Sequence, residues 1–264
     1  MKVTMASVAA RPGRLNEDFT GATPTAAVVV DGAGIPGAEP TCRHGVAWYA
    51  TTLGGGLLAL LSLAPGSSLP ALLAEAITRV TDVHRHTCDV TSPISPSAAV
   101  AIVRVSGDGL DHLVLGDAVI VLDRPGGPPI VTTDPREVAI GRIYEARLAA
   151  ITPGSDEHRR LLGELRAHRN RPGGFWVARD DPRAADEAVT GRHPIADLSA
   201  AALLSNGAGR IVDRFELTDW PGTLAFLASA GPGAVIDQVR QAERRHAAEP
   251  DDATIAYCDG LDDR

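Results

Sequence analysis

Apolar residues along this chain gather into short runs broken by glycine, proline and carboxylates. The least interrupted run is Ala27-Val28-Val29-Val30, small and β-branched, and it predicts a strand covered on both faces. It stops at Asp31-Gly32-Ala33-Gly34. This places a carboxylate at a rigid strand end, followed by residues that let the chain turn and leave carbonyl oxygens uncovered. Residues 3–9 alternate at short period and end at Arg11-Pro12-Gly13, predicting a first strand and turn. A small-residue loop is expected from Phe19 to the Asp31 strand. Residues 97–105 and 110–122 predict a strand pair joined by Ser106-Gly107-Asp108-Gly109, the second strand interrupted at Gly116-Asp117-Ala118. Short strands are expected over 130–133, 173–178, 199–205 and 253–258.

Helical patterning occupies the gaps. Residues 46–64 form an uncharged helix, 71–86 an amphipathic one, and 136–168 two helices, the second basic and opened by Ser155-Asp156-Glu157. Two more, 220–228 and 233–247, flank Gly231-Pro232. Strands that follow one another directly, with helices in clumps, favour an α+β layered fold over alternating βαβ units. The uncharged segment is long enough for a membrane span. Thr51, Thr52, three consecutive glycines from Gly54 and a stop at Pro65-Gly66 instead predict a helix packed inside a large domain, with no membrane partner.

At 264 residues the chain can bury a large core, and a single domain over 1–264 is expected. A formal charge of −8 argues against nucleic acid as the main partner. Lys2 is the only lysine, an arginine-rich usage that suggests a bacterial source. Cys42, Cys88 and Cys258 are scattered and odd in number, so a reduced, cytoplasmic setting is expected. Met1 to Arg14 lacks the apolar centre of a signal peptide.

The carboxylates carry the chemistry. Glu17-Asp18, Asp31, Asp117 and Asp251-Asp252 each stand at an expected strand end or beside a glycine turn. Acids brought together from several strand ends repel one another unless a cation neutralises them. With no histidine or cysteine set beside them, the ligands are all oxygen, which selects Mg²⁺ or Mn²⁺ over Zn²⁺. A pair of such ions can activate a water for in-line attack on phosphorus.

The order Asn16-Glu17-Asp18, Val30-Asp31-Gly32-Ala33-Gly34, Leu115-Gly116-Asp117, Leu204-Ser205-Asn206-Gly207 and Asp251-Asp252-Ala253-Thr254 resembles the metal-dependent protein phosphatases of the PPM family, type 2C. The likeness runs from about Arg14 to Tyr257. It implies a four-layer α-β-β-α sandwich, two stacked antiparallel sheets flanked by helices. It also implies hydrolysis of phosphoserine and phosphothreonine in proteins with two Mn²⁺ or Mg²⁺ ions, and a weaker third in some members. By position, Asp31 would bridge both ions. The Gly32 carbonyl and Glu17, with Asp18 beside it, would serve the second ion. Asp251 and Asn206 fall at the first, and Asp117 matches the acid of the third. Arg14 is the candidate grip on the substrate phosphate; its spacing to Glu17 is one residue short, so Arg11 stays open.

Three departures from the family pattern bear on activity. Asn206 replaces a carboxylate of the first ion, Ala33 stands where some members carry a histidine, and Arg210 brings positive charge near the first ion. A pseudophosphatase that binds phosphopeptide with little turnover, and a phosphatase for small metabolites, are therefore alternatives. The basic set His158, Arg159, Arg160, Arg166, His168, Arg169 and Arg171 reads as a solvated helix face; the resemblance places it in the variable flap, about 136–172, which makes contact with a phosphorylated substrate the alternative. His84 and Cys88 share metal-like chemistry but lack a second ligand pair at zinc spacing. The three glycines from Gly54 predict close helix packing, and Trp48, Trp176 and Trp220 are read as core.

Overall fold

The strand Ala26–Ala33 (β3) sorts its side chains by alternation, as the valine run predicts. Val28 and Val30 face one layer of helices, whereas Ala27 and Val29 face a second sheet. The computed structural model describes residues 1–34, 41–152 and 154–261. In it β3 pairs antiparallel with Phe19–Ala22 (β2) and Ser97–Ser106 (β4), followed by Gly109–Leu115 (β5) and Val189–Pro194 (β8). The other sheet runs Lys2–Val8 (β1), Ala253–Asp259 (β10), Ala200–Leu204 (β9), Val119–Asp123 (β6) and Ile130–Thr132 (β7), again antiparallel.

Helices cover both outer faces. Gly45–Leu63 (α1) and Leu69–His84 (α2) bury Tyr49, Leu53, Leu57, Leu73 and Ile77 against the β3 sheet. Asn206–Asp213 (α5) and Trp220–Arg245 (α6) cover the β9 sheet through Ile211, Leu224, Ile236 and Val239. Arg136–Ala149 (α3) and Asp156–Arg166 (α4) pack on each other. The result is a four-layer α-β-β-α sandwich. Its inter-sheet layer is made of small and branched residues such as Ala101, Val103, Ile120 and Leu203, which lets two pleated faces close without voids.

Local chemistry sets the element ends. Ser68 accepts from the Ala71 amide to open α2, Ser155 from His158 to open α4, and Asp219 from Gly222 to open α6. The bend expected at Gly231-Pro232 is present as a kink inside α6, with Gly231 at φ 82°.

Several expectations need correction. Residues 110–122 are not one interrupted strand: the chain leaves one sheet after Leu115 and enters the other at Val119, turning at Gly116 with φ 78°. The loop expected after Phe19 is β2, too short and glycine-containing to show alternation. The polar edge strand β8 carried no apolar period to announce it, and helix α5, though amphipathic, is only eight residues long. Residues 173–178 form no ladder and make only single bridges, Ala98 with Ala178 and Arg169 with Phe175. Among the three glycines, Gly54 alone packs closely: a Cβ there would lie 2.1 Å from the Phe19 ring, while Gly55 and Gly56 have open space.

His112 on β5 gives a pH-dependent test of the packing. Its buried ring stacks on His193 at 5.4 Å and lies 3.2 Å from the Thr132 hydroxyl of the other sheet. Burial pushes its pKa down from 6.5 to about 4, with His193 adding to the push. A depressed folded-state pKa gives stability that is present above 6.5 and lost as pH falls through about 4. Between these limits the loss is at most about 3 kcal/mol. Urea melts should show this extra fall in the wild type and not in His112→Gln; equal slopes for the two would remove His112 from the acid transition.

Candidate metal centre

The acids of the sequence pattern meet at one end of the sandwich. β3 ends there, β5 hands over to β6, β9 runs into α5, β10 begins, and the link between β1 and β2 crosses over them. A cleft of about 250 Å³ at this end is lined by Arg14, Glu17, Asp31, Gly32, Asp117, Asn206 and Asp251 from the expected set. Ala33, Gly34, Ala99 and Val177 complete its smaller walls, and the lining holds no histidine among the described residues.

Two backbone arrangements bring the segments together. The Asp252 carboxylate accepts the Ala10 amide at 2.6 Å and the Glu17 amide at 2.7 Å, so it works as a tie that seats Glu17 beside β3. Gly32 lets the chain pass close: a Cβ there would fall 2.1 Å from the Glu17 carbonyl oxygen. Gly207 does the same on the far side, where a Cβ would come within 1.9 Å of the Asp252 carbonyl oxygen. Side chains larger than hydrogen at these two positions would pry the site apart.

Charge is concentrated and partly unanswered. Burial raises the Asp31 carboxyl well above the usual carboxylate range, and Asp18, Asp117 and Asp251 add to it. Asp117 is raised in the same way, against hydrogen bonds that include one from Asn206. Asp18 lies behind the cleft wall, and neither of its carboxylate oxygens meets a partner of hydrogen-bonding geometry among the described residues. Burial pushes its pKa up to about 7, with the Thr254 and Ser205 hydroxyls moderating the rise. Acids raised by burial and further by one another, one of them without a hydrogen-bond partner among the described residues, are what a divalent cation with oxygen ligands would satisfy.

The departures have visible consequences. The Asn206 amide N–H, at the first turn of α5, donates to Asp31 at 2.7 Å, and its Nδ2 donates to Asp117 at 2.8 Å. Arg210 donates to Asp251 at 2.6 Å while also holding the buried Glu243 at 3.1 Å. One half of the acid cluster is thus satisfied by the protein itself. The other half, Glu17, Asp18 and the free face of Asp31, is not. Arg14 reaches Glu17 only at 3.5 Å and lines the cleft, whereas Arg11 pairs with Glu249 at 2.6 Å outside it. Of the two arginines, Arg14 is the one that lines the cleft.

Part of the lining was not anticipated as such. Glu137 from α3, with Arg166 and Arg169 at and beyond the end of α4, form the cleft's remaining wall. Arg166 donates to the Gly34 carbonyl at 2.7 Å. Burial, reinforced by Arg169, lowers the Arg166 pKa to about 9, and loss of water around Glu137 pushes its pKa up to about 8, with Asp117 adding to the push. Arg169 is buried, and its Nε and Nη1 find no partner among the described residues. The basic run at 158–171 signalled the arginines; nothing in the sequence singled out Glu137.

No family model and no curated protein sequence matches this chain. Solved structures do. The catalytic domain of the Ser/Thr phosphatase PstP, in complex with two manganese ions, superposes with TM-score 0.62 at 16% identity, covering 98% of this chain and 97% of that one. The fold is that of the PPM-type Ser/Thr phosphatases. The PPM phosphatase MsPP of Mycobacterium smegmatis, in complex with cacodylate, gives TM-score 0.60 at 19% identity over 98% of each chain. Stp1 of Staphylococcus aureus gives 0.61 at 14%, covering 98% of this chain and 94% of its own. Within this PPM fold the acids occupy the end where the two sheets exchange strands.

Proposed function

We propose that the chain is a metal-dependent phosphatase acting on phosphoserine and phosphothreonine in proteins. The observation that carries this reading is the convergence of Glu17, Asp31, Asp117 and Asp251 on one cleft above the orphaned, buried Asp18. Asp31, Asp251 and Asn206 would hold a first Mn²⁺ or Mg²⁺ ion, and Asp31, the Gly32 carbonyl and Glu17, with Asp18 beside it, a second, with Asp117 available to a weaker third. When bound, such ions supply an acidified water near neutral pH and offset the charge of the phosphate. Arg14 and Arg169 line the cleft and would supply guanidinium donors for the phosphate oxygens.

A second reading is favoured by one specific feature. Arg210 on Asp251 and Asn206 on Asp117 already answer the charges that the ion at Asp251 and Asn206 would answer, which suits a pseudophosphatase that keeps the phosphate-binding wall. One experiment separates the readings. The purified chain is assayed with Mn²⁺ against p-nitrophenyl phosphate, a phosphopeptide panel and small phosphate esters, with Mn²⁺ binding followed by calorimetry. Chelator-sensitive phosphate release from phosphopeptides is expected. Release from the small esters alone moves the substrate class to metabolites, and Mn²⁺ binding without release supports the pseudophosphatase. Neither binding nor release overturns the metal assignment.

A further inference from the structure

Away from the acidic cleft, α1 begins beside the end of α2, and two thiols and an imidazole meet at this junction. Cys42, His44 and Cys88 each bring one ligand atom into a group whose members all lie within 4.8 Å of one another. The Cys88 Sγ is 3.3 Å from His44 Nδ1, and the Cys42 Sγ is 4.0 Å from the same nitrogen. Sulfur at about 2.3 Å and nitrogen at about 2.0 Å from a tetrahedral zinc would be roughly 3.6 Å apart. The two observed separations bracket that value.

The surroundings favour a cation that binds thiolates. His44 is the N-cap of α1, yet its side chain makes no capping hydrogen bond; it faces the two sulfurs instead. Its ring is braced by stacking on Trp48 at 4.3 Å. The two segments are clipped together by the Asp89 amide, which donates to the Thr41 carbonyl at 2.9 Å. The start of a helix favours thiolate over thiol. Cys42 is buried, while His44 and Cys88 are partly exposed and leave a route for entry. His84, the partner for Cys88 suggested by helical spacing, stays outside this group and donates toward the Val80 carbonyl.

We propose that Cys42, His44 and Cys88 form a zinc site that pins the start of α1 to the end of α2, with water completing the coordination. Thiolate and imidazole donors select zinc and leave Mn²⁺ and Mg²⁺ to the oxygen-lined cleft. The two places are mechanically joined. Val46, in the first turn of α1, covers Gly32 and Gly34, where added Cβ atoms would meet its methyl groups at 2.7 and 2.3 Å. Zinc at the junction therefore fixes the wall that carries the Gly32 carbonyl.

Cobalt reports on such a site without any assay of catalysis. The full chain, kept reduced and in excess Mg²⁺, is titrated with Co²⁺. Thiolate-to-cobalt charge transfer and intense tetrahedral visible bands are expected at one Co²⁺ per chain, bleached by one Zn²⁺. They should persist in Asp31→Asn, which alters only the acidic cleft, and vanish in Cys88→Ser. Zinc affinity measured against a chromophoric chelator should fall at least about tenfold in Cys88→Ser and in His44→Ala. Circular dichroism of each variant checks that it is folded. Bands that survive in folded Cys88→Ser, or fail to form in a wild type whose thiols are all free, overturn the site. A Cys42–Cys88 disulfide that persists in the presence of the reductant, seen as a species two hydrogens lighter, overturns it as well.

Discussion

Asp31→Asn is expected to lower Mn²⁺-dependent kcat/KM by at least about a thousandfold, close to 4 kcal/mol of lost transition-state stabilisation. Asp31 is the one acid whose carboxyl is raised by all three of Asp18, Asp117 and Asp251, so it is the shared member of both proposed ion positions. An amide there keeps an oxygen for the Asn206 N–H, now received at 2.7 Å, and its own N–H₂ can turn to a neighbouring carboxylate. The metal-free variant should therefore be at least as stable as the wild type, because one of several crowded charges is gone. Opposite signs for activity and stability distinguish a functional group from a structural one. The measurements are steady-state kinetics with Mn²⁺ and thermal melts in chelator. Activity within tenfold of wild type would take Asp31 out of the centre, and a collapse of the melt in chelator would recast it as a fold residue.

How far the sequence reaches can be judged on particular residues. The Val28 to Val30 run, doubly covered, was legible as a central strand, although pairing continues past the expected stop at Asp31 to Ala33. Gly116-Asp117 was legible as a break but not as a passage between sheets, since a turn's sequence does not name the sheet that receives the next strand. β2 and β8 were invisible for a related reason: a four-residue strand and a polar edge strand are defined by partners far away in the chain rather than by periodicity. Arg14 could not be separated from Arg11 by spacing, yet one salt bridge to Glu249 removes Arg11 from the cleft. Glu137 and the Cys42 to Cys88 approach belong to the same class. Each depends on long-range packing, and none has a local signal stronger than an ordinary charged or small residue.

Asn206→Asp should bind Mn²⁺ at least about tenfold more tightly than the wild type, and the same change should destabilise the metal-free protein by about 1–3 kcal/mol. Both effects come from one atom. In the wild type Nδ2 donates to Asp117 at 2.8 Å, satisfying in part a carboxylate that burial and Asp251 already raise. Replacing that N–H₂ with oxygen removes the bond and sets another negative charge among Asp31, Asp117 and Asp251. The main-chain N–H of residue 206 still reaches Asp31, so the loss is confined to the Asp117 side. A divalent ion then gains a charged ligand and relieves the added repulsion together. Arg210, held by Glu243 and the Glu249 carbonyl as well as by Asp251, keeps its place and limits the gain. Melts in chelator and in saturating Mn²⁺ should therefore cross: the variant is lower than wild type in the first and higher in the second. Isothermal titration gives the affinity, and turnover at limiting Mn²⁺ should rise with it. Coincident melts and unchanged affinity would place residue 206 outside the ion's reach, and the self-satisfied half of the cluster would then be structural in its own right.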